Sequence, residues 1–93
     1  VSTTIPSGYS LDQNYPNPFN PVTNIQFALP NAGNVKLAVY DMNGKEVAVL
    51  VNGQLAAGTY KADYNASSLS SGVYFYKLTA KDFTATKKMI LIK

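Results

Sequence analysis

A chain of 93 residues with no histidine and no cysteine lacks the two side chains behind most nucleophilic and general-base chemistry. Neither a Ser–His–Asp nor a Cys–His constellation can be assembled from it. Serines cluster at 67, 68, 70 and 71, but no base candidate stands near them, and turn formation accounts for their spacing. Paired carboxylates can cleave glycosidic bonds. Only five acids are present, however, and Asp41, Asp63 and Asp82 fall at turns or on the polar faces of alternating segments. Asp41-Met42-Asn43 offers oxygen atoms to calcium without the dense carboxylate spacing of a dedicated loop. Asn65-Ala66-Ser67 matches the N-glycosylation sequon, a three-residue pattern of low specificity, and no phosphate-cradling glycine loop occurs. The residues therefore name no catalytic group, no metal ligand set and no cofactor.

Two weaker chemistries concern aromatic and basic residues. The net charge is +3, and every basic residue is lysine, a hydrated point charge; arginine, the usual reader of phosphates and base edges, is absent. No nucleic-acid partner is expected. Seven tyrosines are present, and an aromatic stripe on a sheet face can stack sugars. Tyr60/Tyr64 and Tyr74/Tyr76, however, recur at strand alternation, where core packing places aromatics. A carbohydrate-binding or adhesive module is the alternative these tyrosines leave open.

The elements that must carry these residues read as strands. Hydrophobic residues make up 46% of the chain and charged ones 14%, which suits one packed domain and opposes disorder. No apolar run approaches the roughly 18 residues of a membrane helix. VSTTIPSG (1–8) reads as a linker remnant, and residues 9–93 as a single domain. Residues 9–15 allow a short extended piece; Pro16, Pro18 and Pro21 then forbid helix and remove ladder donors, giving a rigid, irregular lead-in. From residue 24 the pattern has period two. Ile25, Phe27 and Leu29 alternate with polar neighbours, then Val35, Leu37 and Val39. Asp41–Gly44 reads as a turn, EVAVLV (46–51) as a strand, and Asn52-Gly53 as a second turn. Gly58 opens TYKADY, residues 65–72 form a loop, VYFYKLTA follows, and a final strand, FTATKKMILIK, is expected to run to Lys93. Six clear strands and a seventh near the start predict an all-β, immunoglobulin-like antiparallel β-sandwich of about seven strands. Val1–Gly8 has neither the basic start nor the apolar stretch of a secretory leader. Export, if it occurs, is expected to draw on a longer parent or on the module itself.

Assembled in order, YPNPFNPVTNIQFALP (15–30), VYDMNGKEVAVLV (39–51), AAGTY (56–60), LSSGVYFYKL (69–78) and KKMILIK (87–93) resemble the type A C-terminal sorting domain of the type IX secretion system of Bacteroidetes. The likeness covers about residues 15–93, and its specificity comes from five pieces in conventional order and spacing. It implies an immunoglobulin-like sandwich at the end of a larger exported protein that crosses the inner membrane with a cleavable leader. The domain then directs passage from the periplasm across the outer membrane. It also implies a sortase-like peptidase that removes the domain, with cell-surface attachment or release of the parent.

By motif, Lys87, Lys88, Met89, Ile90, Leu91, Ile92 and Lys93 occupy the terminal segment implicated in recognition by the secretion machinery. Gly58, Gly72 and Tyr74 fall in the family's internal glycine motifs, and Asn17, Pro18, Asn20 and Pro21 in its lead-in motif; for the glycines and prolines, backbone geometry is the expected role. KKMILIK reads physically as a terminal edge strand open to pairing with a receptor strand, its lysines discouraging indiscriminate pairing. Cleavage is expected in or before Val1–Gly8, where the chain lacks packing signals.

Overall fold

A computed structural model describes residues 6–81 and 83–93. Seven strands follow one another: β1 (Ser10–Leu11), β2 (Val22–Leu29), β3 (Gly33–Tyr40), β4 (Glu46–Leu55), β5 (Gly58–Asn65), β6 (Gly72–Ala80) and β7 (Phe83–Leu91). They form a three-stranded sheet, β1-β2-β5, and a four-stranded sheet, β4-β3-β6-β7. Every ladder is antiparallel. The result is an immunoglobulin-like sandwich, as the period-two pattern predicts. The expected linker falls partly on residues 1–5, outside the described residues, as does Asp82.

Alternation sorts the side chains between core and solvent. Ile25, Phe27 and Leu29 of β2 face Val35, Leu37 and Val39 of β3 across the core, joined by Tyr76 and Leu78 of β6 and Met89 and Leu91 of β7. The alternating tyrosines go inward: Tyr74 and Tyr76 are buried, and Tyr60 and Tyr64 pack half-buried against the core.

Two boundaries differ from the pattern. Asn52-Gly53 does not turn; β4 continues through it to Leu55, with Asn52 opposite Lys36 and Gly53 opposite Val35. The full length of β3 supplies a hydrogen-bonding partner there, and tertiary pairing overrides the local turn preference. The last strand ends at Leu91, leaving Ile92 and Lys93 beyond it.

The same local device starts β5 and β6. In Ala56-Ala57-Gly58-Thr59-Tyr60 the tyrosine hydroxyl donates to the Ala56 carbonyl at 2.6 Å. In Ser70-Ser71-Gly72-Val73-Tyr74 it donates to the Ser70 carbonyl at 2.7 Å. Gly58 and Gly72 have φ of 152° and 154°, a region that side-chain-bearing residues enter only at a cost. The second instance is the tyrosine corner of immunoglobulin-like sandwiches. Each glycine lets the incoming chain bend sharply enough for the tyrosine ring to fold back under it.

Exposed sheet edges invite unwanted pairing, and two of them are blunted differently. On β4 the register slips twice, leaving Val47 and Leu50 as extra residues; such bulges bend an edge away from a flat partner. On β7 the lead-in segment lies against the strand, described next.

Candidate functional site

Lead-in, Gly-x-Tyr corner and terminal motif, far apart in sequence, meet at one end of the sandwich. The lead-in is held by a polar hub. The buried Tyr76 hydroxyl accepts from the Asn14 N–H and donates to the Asp12 carbonyl, both at 2.7 Å. The Asn14 side chain, itself buried, donates to Thr23 Oγ1 at 3.0 Å and to the Pro16 carbonyl at 3.1 Å, and accepts from Gln13 Nε2. Thr23 Oγ1 completes the group by donating to the Pro16 carbonyl. Among the described residues no buried side-chain nitrogen or oxygen lacks a partner. Burial, the main cause, together with the Asp12 charge, pushes the Tyr76 phenol up to about 12, although the Asn14 N–H opposes the shift.

From this hub the lead-in reaches β7. Gln13 Nε2 donates to the Lys88 carbonyl at 2.7 Å, and Asn17 Oδ1 accepts from the Ile90 N–H at 3.0 Å. Phe19 pairs in parallel with Leu91: its N–H donates to the Ile90 carbonyl and its carbonyl accepts from the Ile92 N–H, both at 2.9 Å. The Phe19 ring, 1% exposed, inserts into the core. Three prolines keep this stretch out of any regular ladder, so single bonds and one aromatic plug do the fastening.

The terminal motif thus divides by face. Met89 and Leu91 are core residues; Lys88 and Ile92 are exposed on the other side, with Ile90 half-buried between them. Lys87 is half-buried on the inward side of β7. Lys93 is tied to the β5–β6 loop, its N–H donating to Ser71 Oγ at 3.0 Å and its ammonium to the Ser67 carbonyl at 2.6 Å. The expectation of an open terminal edge therefore needs correcting over residues 88–92, where Lys88, Ile90 and Ile92 already bond the lead-in.

Of the remaining motif residues, Pro21 joins the assembly through its carbonyl, which accepts from the Ala66 N–H at 2.8 Å. Gly72 lies opposite Leu91, and Tyr74 is buried beneath it. Pro18 and Asn20 are exposed. Gly58 is not part of this end: it starts β5 while Asn65 ends it, about 23 Å along the strand. Sequence reasoning missed Gln13, Asn14, Phe19, Thr23 and the hub role of Tyr76. A signal existed for Phe19, the one large apolar residue among three prolines. None existed for Asn14, whose role depends on a hydroxyl 62 residues away.

Among the described residues the acids do not converge. Asp41 Oδ1 accepts from the N–H groups of Asn43 and Lys45, both at 2.9 Å, so it is occupied as a turn residue. Glu46 pairs with Lys36 at 2.8 Å, and this hydrogen-bonded charge raises the Lys36 pKa. Asn65 Oδ1 accepts from the Ser67 N–H, closing a turn over the sequon. Among the described residues no three His, Cys, Asp or Glu side chains gather. A groove of about 370 Å³ on the outer face of the four-stranded sheet is lined by Tyr40, Asp41, Met42, Phe75, Lys77 and Thr86, with Asp41 its one carboxylate among the described residues. No helix of the described chain is long and apolar enough to cross a membrane.

The sequence model of the family described as "Secretion system C-terminal sorting domain" matches residues 13–93, the span from Gln13, where the lead-in meets β7, through the terminal motif. The chain belongs to this family. It carries a sorting signal for type IX secretion, which implies a parent protein, the secretion machinery as partner, and export toward the cell surface or extracellular space. Sorting domains of this kind are generally non-catalytic. No curated protein matches the chain.

Proposed function

We propose that this sorting domain is a non-enzymatic label whose terminal motif, Lys87–Lys93, is read by the outer-membrane secretion machinery while the parent is in the periplasm. A sortase-like peptidase then cleaves upstream of the sandwich, in or before Val1–Gly8, for surface attachment or release of the parent. The membership of residues 13–93 in the sorting-domain family carries the proposal. The face division supports a finer assignment. Lys88, Ile90 and Ile92 present side chains outward and Lys93 sits at the tip, whereas Met89 and Leu91 serve the core. Asn17, Pro18, Asn20, Pro21, Gly58, Gly72 and Tyr74 act by shaping the chain.

The test uses a passenger fused ahead of the 93-residue chain, with a secretory leader, in a type IX-competent host. Deleting the terminal motif would remove Met89 and Leu91 and confuse unfolding with lost recognition. The variant Lys88→Ser/Ile92→Ser/Lys93→Ser alters exposed side chains only. It is expected to fold and to strand the passenger in the periplasm; export equal to the parent sequence would rule out recognition through this motif.

A further inference from the structure

Two open sheets leave four edge strands, β1, β5, β4 and β7. Bulges bend β4, and β1 and the lead-in lie against β7. β5 has neither protection. It pairs with β2 through eight residue pairs without a register slip, while β4, joined to it by Ala56-Ala57, belongs to the other sheet and touches it only slightly. The direction of its backbone groups follows from β2. Asn24 exchanges both backbone bonds with Tyr15, and the Gln26 carbonyl accepts from the Asp12 N–H, so the alternate residues Ile25 and Phe27 bond β5. Their partners are Ala62 and Tyr60. Thr59, Lys61 and Asp63 therefore turn their N–H and C=O groups away from β2. All three residues are exposed, and among the described residues no other backbone bonds them from that side. The core is open here as well: Tyr60, Ala62 and Tyr64 are only half-buried, whereas Ile25, Phe27 and Leu29 beside them are at most 1% exposed.

An edge of this kind takes up another strand, and the order of its charges selects which. Lys61 and Asp63 stand two residues apart on the outer face of β5. In an antiparallel pairing of β5 with its own copy about Ala62, Lys61 of each copy lies opposite Asp63 of the other, where opposite charges attract. Their backbones are the outward-pointing ones, so the charge pairs fall on hydrogen-bonded positions. On the inner face Tyr60 meets Tyr64 of the other copy. A shift by one pair in either direction sets Lys61 against Lys61, or Asp63 against Asp63, so a single register is favoured. The other charges nearby do not oppose it. Asp12 lies beyond Gln26, on the far side of β2 from this edge, and the one charge on β4, Glu46, is paired with Lys36. We infer that β5 is a dimerisation edge, at which two copies of this chain join their β1-β2-β5 sheets across a two-fold axis at Ala62. β7 and the lead-in lie on the opposite side of the sandwich, so each dimer displays two terminal motifs.

Sedimentation equilibrium of the 93-residue chain tests the inference. One strand edge is a small contact, so a dimer that forms in the range of about 0.1–1 mM is expected. Lys61→Asp sets like charges against each other in both pairs and should weaken dimerisation by about tenfold or more, as should Asp63→Lys, each with the circular-dichroism melt retained. Exchanging the charges in Lys61→Asp/Asp63→Lys should restore the dimer to within about threefold of the unaltered chain. Mixing the two single variants should give a heterodimer, because each supplies the charges that the other lacks. Should one single variant fail to fold, the other, set against the exchanged variant, carries the comparison. A chain that stays monomeric to about 1 mM, a dimer indifferent to the single variants, or one that the exchange does not restore overturns the inference. A monomeric chain whose Lys61→Asp variant loses export of the fused passenger would assign the edge to the secretion machinery and also overturn it.

Discussion

Replacing Tyr76 with phenylalanine deletes one oxygen atom and leaves the ring that fills the core. That oxygen satisfies two backbone groups of the lead-in. The Asn14 N–H belongs to a residue 2% exposed, so it is left without a partner, at about 1–3 kcal/mol. The exposed Asp12 can turn to water, which limits that loss to about 0.5–1 kcal/mol. The expected destabilisation at pH 7 is about 2–3 kcal/mol, a drop of about 10–20 °C in Tm for a domain of this size. The perturbation also has a pH signature. Burial holds the folded-state phenol at about 12, above the ordinary value near 10. Below about pH 10 the group is neutral in both states and its contribution is complete. As pH rises from about 10 to about 12 the unfolded chain ionises first, the folded state holds more protons, and stability falls, by at most about 1.4 kcal/mol per pH unit and by less where solvent screens the phenol. Urea titrations followed by far-ultraviolet circular dichroism at pH 7, 10 and 12 should therefore show the parent and Tyr76→Phe curves apart at pH 7 and converging at pH 12. A difference under about 0.5 kcal/mol at pH 7 would refute the hub, and a gap that stays constant to pH 12 would refute the upward shift of the phenol.

Three further outcomes follow from the same geometry. Gly72→Ala should cost about 1–3 kcal/mol in chemical denaturation, entirely through backbone strain at φ 154°, since an added Cβ would meet nothing within 4 Å. Phe19→Ala should cost about 3–5 kcal/mol by leaving a cavity where the lead-in plugs the core, measured as a lowered thermal midpoint. Asn17→Ala removes the acceptor for the Ile90 N–H at only about 0.5–1.5 kcal/mol. Its effect should appear as faster amide hydrogen exchange at Ile90, with the β2–β5 ladder unchanged.

The strands were legible because they rest on local alternation. Ile25-x-Phe27-x-Leu29 and Val35-x-Leu37-x-Val39 can bury their apolar sets in only one orientation. The Gly58 and Gly72 corners were legible in part: glycine two residues before tyrosine marks the bend, though not the carbonyl that the hydroxyl meets. The Asn52-Gly53 reading failed because a two-residue turn preference competes with a ladder partner that local reasoning does not see. The tyrosines raised as sugar platforms turned inward for the reason alternation already contained.

By itself, the sequence determined the fold class of the molecule, through period-two strands and turn glycines. Its ordered motifs carried the likeness to sorting domains. Only the tertiary structure decided which parts of the terminal strand face solvent and which are spoken for. Whether the Lys88, Ile90 and Ile92 backbone is free depends on Gln13, Asn17 and Phe19, more than 70 residues earlier. Alternation identifies which side of a strand a residue takes; it carries no information about what lies along the strand's edge. That is settled where the lead-in, fastened by the Tyr76 hydroxyl, folds across β7 and bonds it from Lys88 to Ile92.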